Sequence, residues 1–226
     1  MCSDHREVKR YEDMKLRILN MSHSTIAGLG VLLGYRGSYG VYRAMQDPAI
    51  SGIIQRIIEL VVGIVDRPQM LDPRDFARDA LARLNNPNIP DDPMRIAFNG
   101  STKMKPRFLD TYRAGQAQGM TEQRLAVLLI PVAGFLRYCL GVDDGGATYA
   151  LEDDPIREKL LACGARARLG DPTSSAALRP LIADPNVMGQ DLYRMDRAGQ
   201  LLEELVGRML EGPGAVRKLL ESAQEP

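Results

Sequence analysis

The sequence predicts an all-α protein, and three observations carry that reading. Apolar residues recur at a three-to-four spacing along almost the whole chain, the period of an amphipathic helix. Turn formers, above all Asp-Pro pairs and Gly-rich tracts, cut the pattern into segments of helical length. Strand and helix patterns do not alternate, which argues against a doubly wound nucleotide-binding fold.

From Tyr11 to about Leu33, the spacing of Met14, Leu16, Ile18, Leu19, Ile26, Leu29 and Leu33 predicts one helix. A Gly/Tyr-rich turn follows at Gly34–Gly40, then a short helix over Val41–Met45 ending near Asp47-Pro48. Ile50–Val65 is rich in β-branched residues but too long for a typical strand, so it reads as helix. Asp72-Pro73 supplies an N-cap and a proline at the first helical position, opening a helix to Leu84. Asn85–Pro93 is a loop. Ser101–Gln118 is a helix with Phe108, Leu109 and Tyr112 facing inward, Gly100 as a turn and Ser101 as N-cap. The very apolar helix from Thr121 to Leu140 is expected at the centre of the core, kinked or interrupted at Pro131. Gly141–Asp153 is expected to be a surface loop, and Asp154-Pro155 to open a helix reaching Arg168. Gly170–Ser175 breaks the chain, and three closing helices follow at Ala176–Ile182, Gln190–Leu210 and Ala215–Ser222. With no internal repeat, low-complexity tract or long linker, residues 1–226 read as a single helical domain.

Composition narrows the function classes. With 45% apolar and 26% charged residues, the chain has the balance of a soluble globular protein and is long enough to bury a core without disulfides or a structural metal. Lys+Arg and Asp+Glu are equal at 29 each, which argues against an electrostatic nucleic-acid binder. Cys2, Cys139 and Cys163 are odd in number and lack C-x-x-C spacing, so they read as free thiols in a reducing compartment. The N-terminus, MCSDHREVKR, has no apolar h-region, and the longest apolar run, Leu125–Leu136, is too short to span a bilayer. A cytoplasmic protein without membrane or nucleic-acid partners is the expectation. Two histidines exclude a His-rich metal site, and phosphate-loop, zinc-protease and nucleophile-elbow motifs are absent. Gly28, Gly30 and Gly34 lie in an apolar helical pattern and read as close helix packing, not as a phosphate cradle. Metal-binding and cofactor-binding residues are therefore none.

Two segments carry chemistry. In Met14–Ser24 (MKLRILNMSHS), Lys15, Asn20 and His23 fall within an arc of about 140° on a regular helix, and Asn20 and His23 are an i, i+3 pair. An amine acts as a general base when burial lowers its pKa, while an amide and an imidazole can hold or polarise an oxygen. In Arg95–Lys103 (RIAFNGSTK), Arg95, Asn99 and Lys103 are expected to converge near a helix N-terminus, which favours an oxygen-rich or anionic ligand. On spacing alone, a solvated helix face and a capped turn are the commoner occurrences of such residues.

Taken together, these segments resemble the mannitol dehydrogenase family, the polyol-specific long-chain dehydrogenases that include fructuronate and tagaturonate reductases. KLRILNMSHS is similar to that family's K-L-R-x-L-N-x-x-H-S, with every fixed position present. RIAFNGSTK, about 70 residues later, resembles R-I-A-x-[DN]-G-S-x-K, and FLRYCLGVDDGG resembles W-x-R-Y-x-x-G-x-D-x-x-G. The resemblance runs in order over nearly the whole chain and implies the family's mostly helical C-terminal substrate domain. It also implies metal-free hydride transfer between NAD or NADP and a sugar alcohol, ketose or uronate. Lys15 would be the general acid/base at the reacting oxygen, held and polarised by Asn20 and His23. Arg95 and Lys103 would bind distal hydroxyls or a carboxylate; Asn99 stands where many members have Asp.

The resemblance departs at one point. Only 14 residues precede Lys15, where members of the family carry a Rossmann domain. The expectation is a substrate domain lacking that Rossmann domain, inactive alone, and using NAD or NADP only when a separate nucleotide-binding chain supplies it. An exposed apolar patch near the Lys15 helix and the Gly/Tyr loop should receive that partner. The alternatives are a non-catalytic helical module that binds sugar acids, and a protein-interaction module with a vestigial pocket. Arg95, Lys103 and Lys105 together favour a uronate over neutral mannitol.

Overall fold

A computed structural model of the chain describes residues 4–224. It is 66% helical, and the described residues contain two isolated β-bridges and no sheet. The all-α expectation therefore holds. Cys2 lies outside the described residues; Cys139 and Cys163 are free and buried.

The first helix begins at an Asp4 cap, earlier than its apolar pattern suggests, and it is not uniform. It runs as α1 (His5–Lys15), a π-helical turn (Leu16–Asn20), α2 (Met21–Thr25) and a second π-helical turn (Ile26–Gly30). After the Gly/Tyr turn come α3 (Gly40–Met45), α4 (Pro48–Val62), α5 (Pro73–Leu84) and α6 (Pro93–Ala97). Next is α7 (Ser101–Lys103), continued through a third π-helical turn (Met104–Leu109) into α8 (Asp110–Ala117). Pro106 lies in that third turn and offers no N–H to a regular ladder. The apolar segment splits into α9 (Glu122–Leu125), a 3₁₀ turn (Ala126–Leu128) and α10 (Leu129–Tyr138). The break falls before Pro131, which occupies the first turn of α10, where a missing N–H costs no helical hydrogen bond.

The closing part is more fragmented than its periodicity implies. It comprises α11 (Arg157–Gly164), a 3₁₀ stretch (Pro172–Leu178), α12 (Arg179–Ile182), α13 (Pro185–Met188), a 3₁₀ turn (Leu192–Arg194), α14 (Ala198–Met209) and α15 (Ala215–Ser222). Asp-Pro pairs explain many of the helix starts. Asp47, Asp72, Asp92, Asp171 and Asp184 each accept a hydrogen bond from the backbone N–H two residues on, with proline in the first turn. Asp154 likewise accepts from the Ile156 N–H at 3.1 Å, but it shares its carboxylate with Ser101, and α11 starts later than expected, at Arg157.

Residues 127–139 are all buried, so α10 is the central strut, packed against α14 and the second π-helical turn. Phe108, Leu109 and Tyr112 are fully buried, as expected. The Gly141–Asp153 segment is no simple surface loop. Buried Arg137 donates to the carbonyls of Val142 (2.6 Å), Asp143 (3.2 Å) and Met209 (3.3 Å). Asp143 pairs with Arg36 of the Gly/Tyr turn, while Asp144 accepts from the N–H groups of Val216 and Arg217 at the start of α15. The FLRYCLGVDDGG segment thus serves as an internal fastening between the Gly/Tyr turn, α10 and the C-terminal helix.

Candidate active site

Lys15 ends α1 and is exposed. The π-helical turn that follows changes its phase relative to Asn20. In it the N–H of Met21 donates to Leu16 five residues back, and i→i+5 bonding brings positions five apart towards the same side. Lys15 and Asn20 are therefore closer in phase than on a regular helix. Asn20 is half-buried.

His23 is mostly buried. Its Nδ1 lies 3.0 Å from the carbonyl oxygen of Leu19, a geometry that fixes Nδ1 as the donor of the neutral ring and leaves Nε2 as its acceptor. Nε2 faces Asp91 at 3.9 Å. Burial holds the His23 pKa below 6.5, outweighing the Leu19 and Asp91 contributions that favour the imidazolium.

The second segment meets the first through Asp91. The exposed guanidinium of Arg95, on α6, pairs with the same carboxylate at 2.6 Å. Asn99 occupies the left-handed region at φ 53°, and its N–H donates to Asp153. Asn and Asp are the side chains that tolerate this conformation best, which accounts physically for an Asn/Asp choice at the position. Lys103 does not face a helix N-terminus. Its ammonium turns back and donates to the carbonyls of Ile96 and Phe98, both at 2.6 Å, closing the C-terminal end of α6. Burial, with the Arg107 cation beside it, lowers the Lys103 pKa to about 8. Ser101 is not an N-cap but is itself held, its N–H and hydroxyl donating to Asp154 at 2.8 and 2.5 Å.

Arg107 is the residue that the sequence reading passes over. It lies in the third π-helical turn and donates from Nη1 to the carbonyl of Asn20 (2.7 Å) and the hydroxyl of Ser24 (2.6 Å). It lowers the pKa of both His23 and Lys103. Its own signal in the sequence is weak: one arginine, four positions beyond Lys103, in a segment already rich in lysine. Asn20, His23, Arg95, Lys103 and Arg107 thus form one connected polar region, with Lys15 at its exposed edge and Asn99 shaping the turn that carries Lys103.

Gly28 and Gly30 lie within a helix in ordinary contact with neighbouring elements, and Gly34 is a turn residue at φ 85°. Among the described residues, no group of three metal-ligating side chains converges.

The chain is 34% identical over 223 residues to a D-mannonate oxidoreductase of Thermotoga maritima, covering 97% of this chain and 41% of that protein. It is 30% identical to an altronate oxidoreductase of Yersinia pestis, over 88% of this chain and 40% of the relative. The structure is similar to Pseudomonas fluorescens mannitol 2-dehydrogenase, determined as a ternary complex with NAD and D-mannitol. There the TM-score is 0.80 at 25% identity, covering 98% of this chain and 41% of the other. The chain thus spans about two fifths of the length of these relatives. Residues 7–181 match the mannitol dehydrogenase C-terminal domain, and the chain belongs to that family.

Proposed function

We propose that this chain is the substrate-handling domain of an NAD(P)-dependent oxidoreductase acting on a polyol or sugar acid. The observation that carries the reading is the joining of the two segments through side chains. Asp91 lies against both His23 and Arg95, while Arg107 ties Asn20 and Ser24 to the segment that carries Lys103.

The chain's own work is at the reacting oxygen and along the substrate. Lys15 takes the hydroxyl proton in oxidation and returns it in reduction. The Asn20 carboxamide donates to the oxygen as negative charge develops, and the imidazole of His23 stands beside it to hold the oxygen in place. Arg95 and Lys103 bind the far end of the substrate, and the Asn99 turn sets the position of Lys103. A nicotinamide nucleotide, held in a separate domain or chain, accepts or supplies the hydride. Docking of that domain supplies the burial that the amine of Lys15 needs. Exposed Val8 and Met70 beside α1, with Tyr39 in the Gly/Tyr turn, fit such a contact.

The test joins the chain with its nucleotide-binding polypeptide and follows NAD(P)H absorbance with D-mannonate, D-altronate and D-mannitol. Turnover of one of them, with kcat reduced about 10²–10⁴-fold by Lys15→Ala, is the expected result. An assembled pair that turns over none of them, or a Lys15→Ala variant as fast as the native chain, overturns the reading in favour of a non-catalytic module.

A further inference from the structure

The substrate class follows from which cations of the site already have anionic partners. Arg95 is paired with Asp91 at 2.6 Å, and Lys105 with Asp110 at 3.0 Å. Lys103 has spent two of its three protons on carbonyls. Arg107 differs from all of these. Both of its protein hydrogen bonds leave from Nη1, so Nε and Nη2 have no protein acceptor among the described residues. No carboxylate lies in salt-bridge range of it among those residues, and burial alone shifts its pKa, downward.

A half-buried guanidinium with no counter-charge and a second cation beside it is poorly satisfied by the protein alone. The arrangement becomes favourable when an anion arrives. The unused Nε–Nη2 edge is a planar fork of two parallel donors, the geometry that matches a carboxylate and that a lone hydroxyl cannot fill. Anchoring of Nη1 to Asn20 and Ser24 holds the fork in one orientation, so little further ordering is needed on binding.

We propose that Arg107 is a specificity-determining residue: with Lys103 it forms a carboxylate-binding pair that tunes the site for a sugar acid over a neutral sugar alcohol. The assignment rests on the functional reading above and deepens it. The carboxylate bridges the Arg107 fork and the remaining proton of Lys103, placing the opposite end of the sugar towards Asn20 and His23. Bound anion also draws the Lys103 pKa upward from about 8.

The experiment is an NMR titration of the isotopically labelled full chain with D-mannonate and with D-mannitol, read at the Arg107 Nε–H and at the titrating Lys103 amine. The native chain is expected to bind mannonate at least about tenfold more tightly than mannitol, and to show a higher Lys103 midpoint with mannonate bound. In Arg107→Gln that preference collapses to roughly equal affinities. In Arg107→Lys, which keeps the charge and loses the fork, it falls part of the way. Should Arg107→Gln fail to fold, the Arg107→Lys ratio decides alone. A folded Arg107 variant that retains the native preference overturns the assignment, as does a native chain that binds the two sugars equally; both leave the functional reading standing. A native chain that binds neither sugar, even with its nucleotide-binding polypeptide and NADH present, overturns both.

Discussion

Nε2 of His23 faces Oδ2 of Asp91 at 3.9 Å, while the other oxygen of the same carboxylate pairs with Arg95 at 2.6 Å. One acidic side chain therefore bears on the charge of an imidazole and pairs with a guanidinium that lie 72 positions apart in the sequence. Asp91→Asn removes the charge that favours the imidazolium, so the His23 midpoint should fall further below 6.5. A histidine Cε1–H titration by NMR reads this directly; a midpoint that rises or stays put would show that Asp91 does not act on the ring.

His23 also makes stability depend on pH. Its folded pKa is below the unfolded value, so the unfolded chain takes up the proton first. Stability should decline as pH falls below about 6.5 and through the folded midpoint. Urea unfolding at several pH values checks this. In His23→Gln the slope over that window should flatten, leaving the carboxylate-dependent loss at lower pH unchanged.

Asp154 fixes the turn that carries Lys103. Asp154→Ala leaves the Ser101 N–H and hydroxyl without their acceptor, at a cost of about 2 kcal/mol, or roughly 4–8 °C in Tm. Asp154 also favours the charged form of Lys103, so the same variant should lower the Lys103 midpoint below about 8. Calorimetry and NMR of labelled lysine measure the two effects separately.

Arg137 is entirely buried and bonded to carbonyls alone. Arg137→Met fills much of the volume but strands three acceptors, and should cost about 3–5 kcal/mol in chemical denaturation. A loss below about 1 kcal/mol would mean that water or a shifted backbone replaces the guanidinium.

Two glycines separate tight packing from mere helix content. A Cβ on Gly164 would lie 2.0 Å from the carbonyl oxygen of Cys139, so Gly164→Ala must push α11 away from the end of α10, costing about 2–3 kcal/mol. A Cβ on Gly28 would sit 3.5 Å from the nearest backbone atom, an ordinary contact, and alanine is the better helix former. Gly28→Ala should therefore change stability by less than about 1 kcal/mol. Thermal melts of the two variants side by side test the contrast.

Much of the fold is legible in the sequence. The heptad-like spacing of Ile50 to Val61 outweighed their β-branched chemistry, and Asp72-Pro73 marked its helix start to the residue. What periodicity could not reveal are contacts between distant residues. Nothing local to Asp154 says that its carboxylate, besides accepting from Ile156, also serves Ser101, 53 positions away. The same holds for Asp143, whose partner Arg36 belongs to another turn and draws the segment inward. At the site, the residue types of Lys15, Asn20 and His23 were legible, but their phase was not, because a 3.6-residue period cannot anticipate a π-helical turn. Arg107 escapes a sequence reading for a related reason: its partners lie 87 and 83 positions earlier.

Lys15 and Lys103 each stand immediately before a π-helical turn. Such a turn is in effect one surplus residue in an α-helix. Deleting a single residue from Leu16–Asn20 would restore a regular ladder and swing everything on its N-terminal side by about 100° around the axis. The lysine would keep its chemistry and lose its target. In this chain, then, the direction in which two amines point is written in the length of the backbone between them and their neighbours, and a frame-preserving deletion of one codon would be a sharper blow to the site than most side-chain replacements.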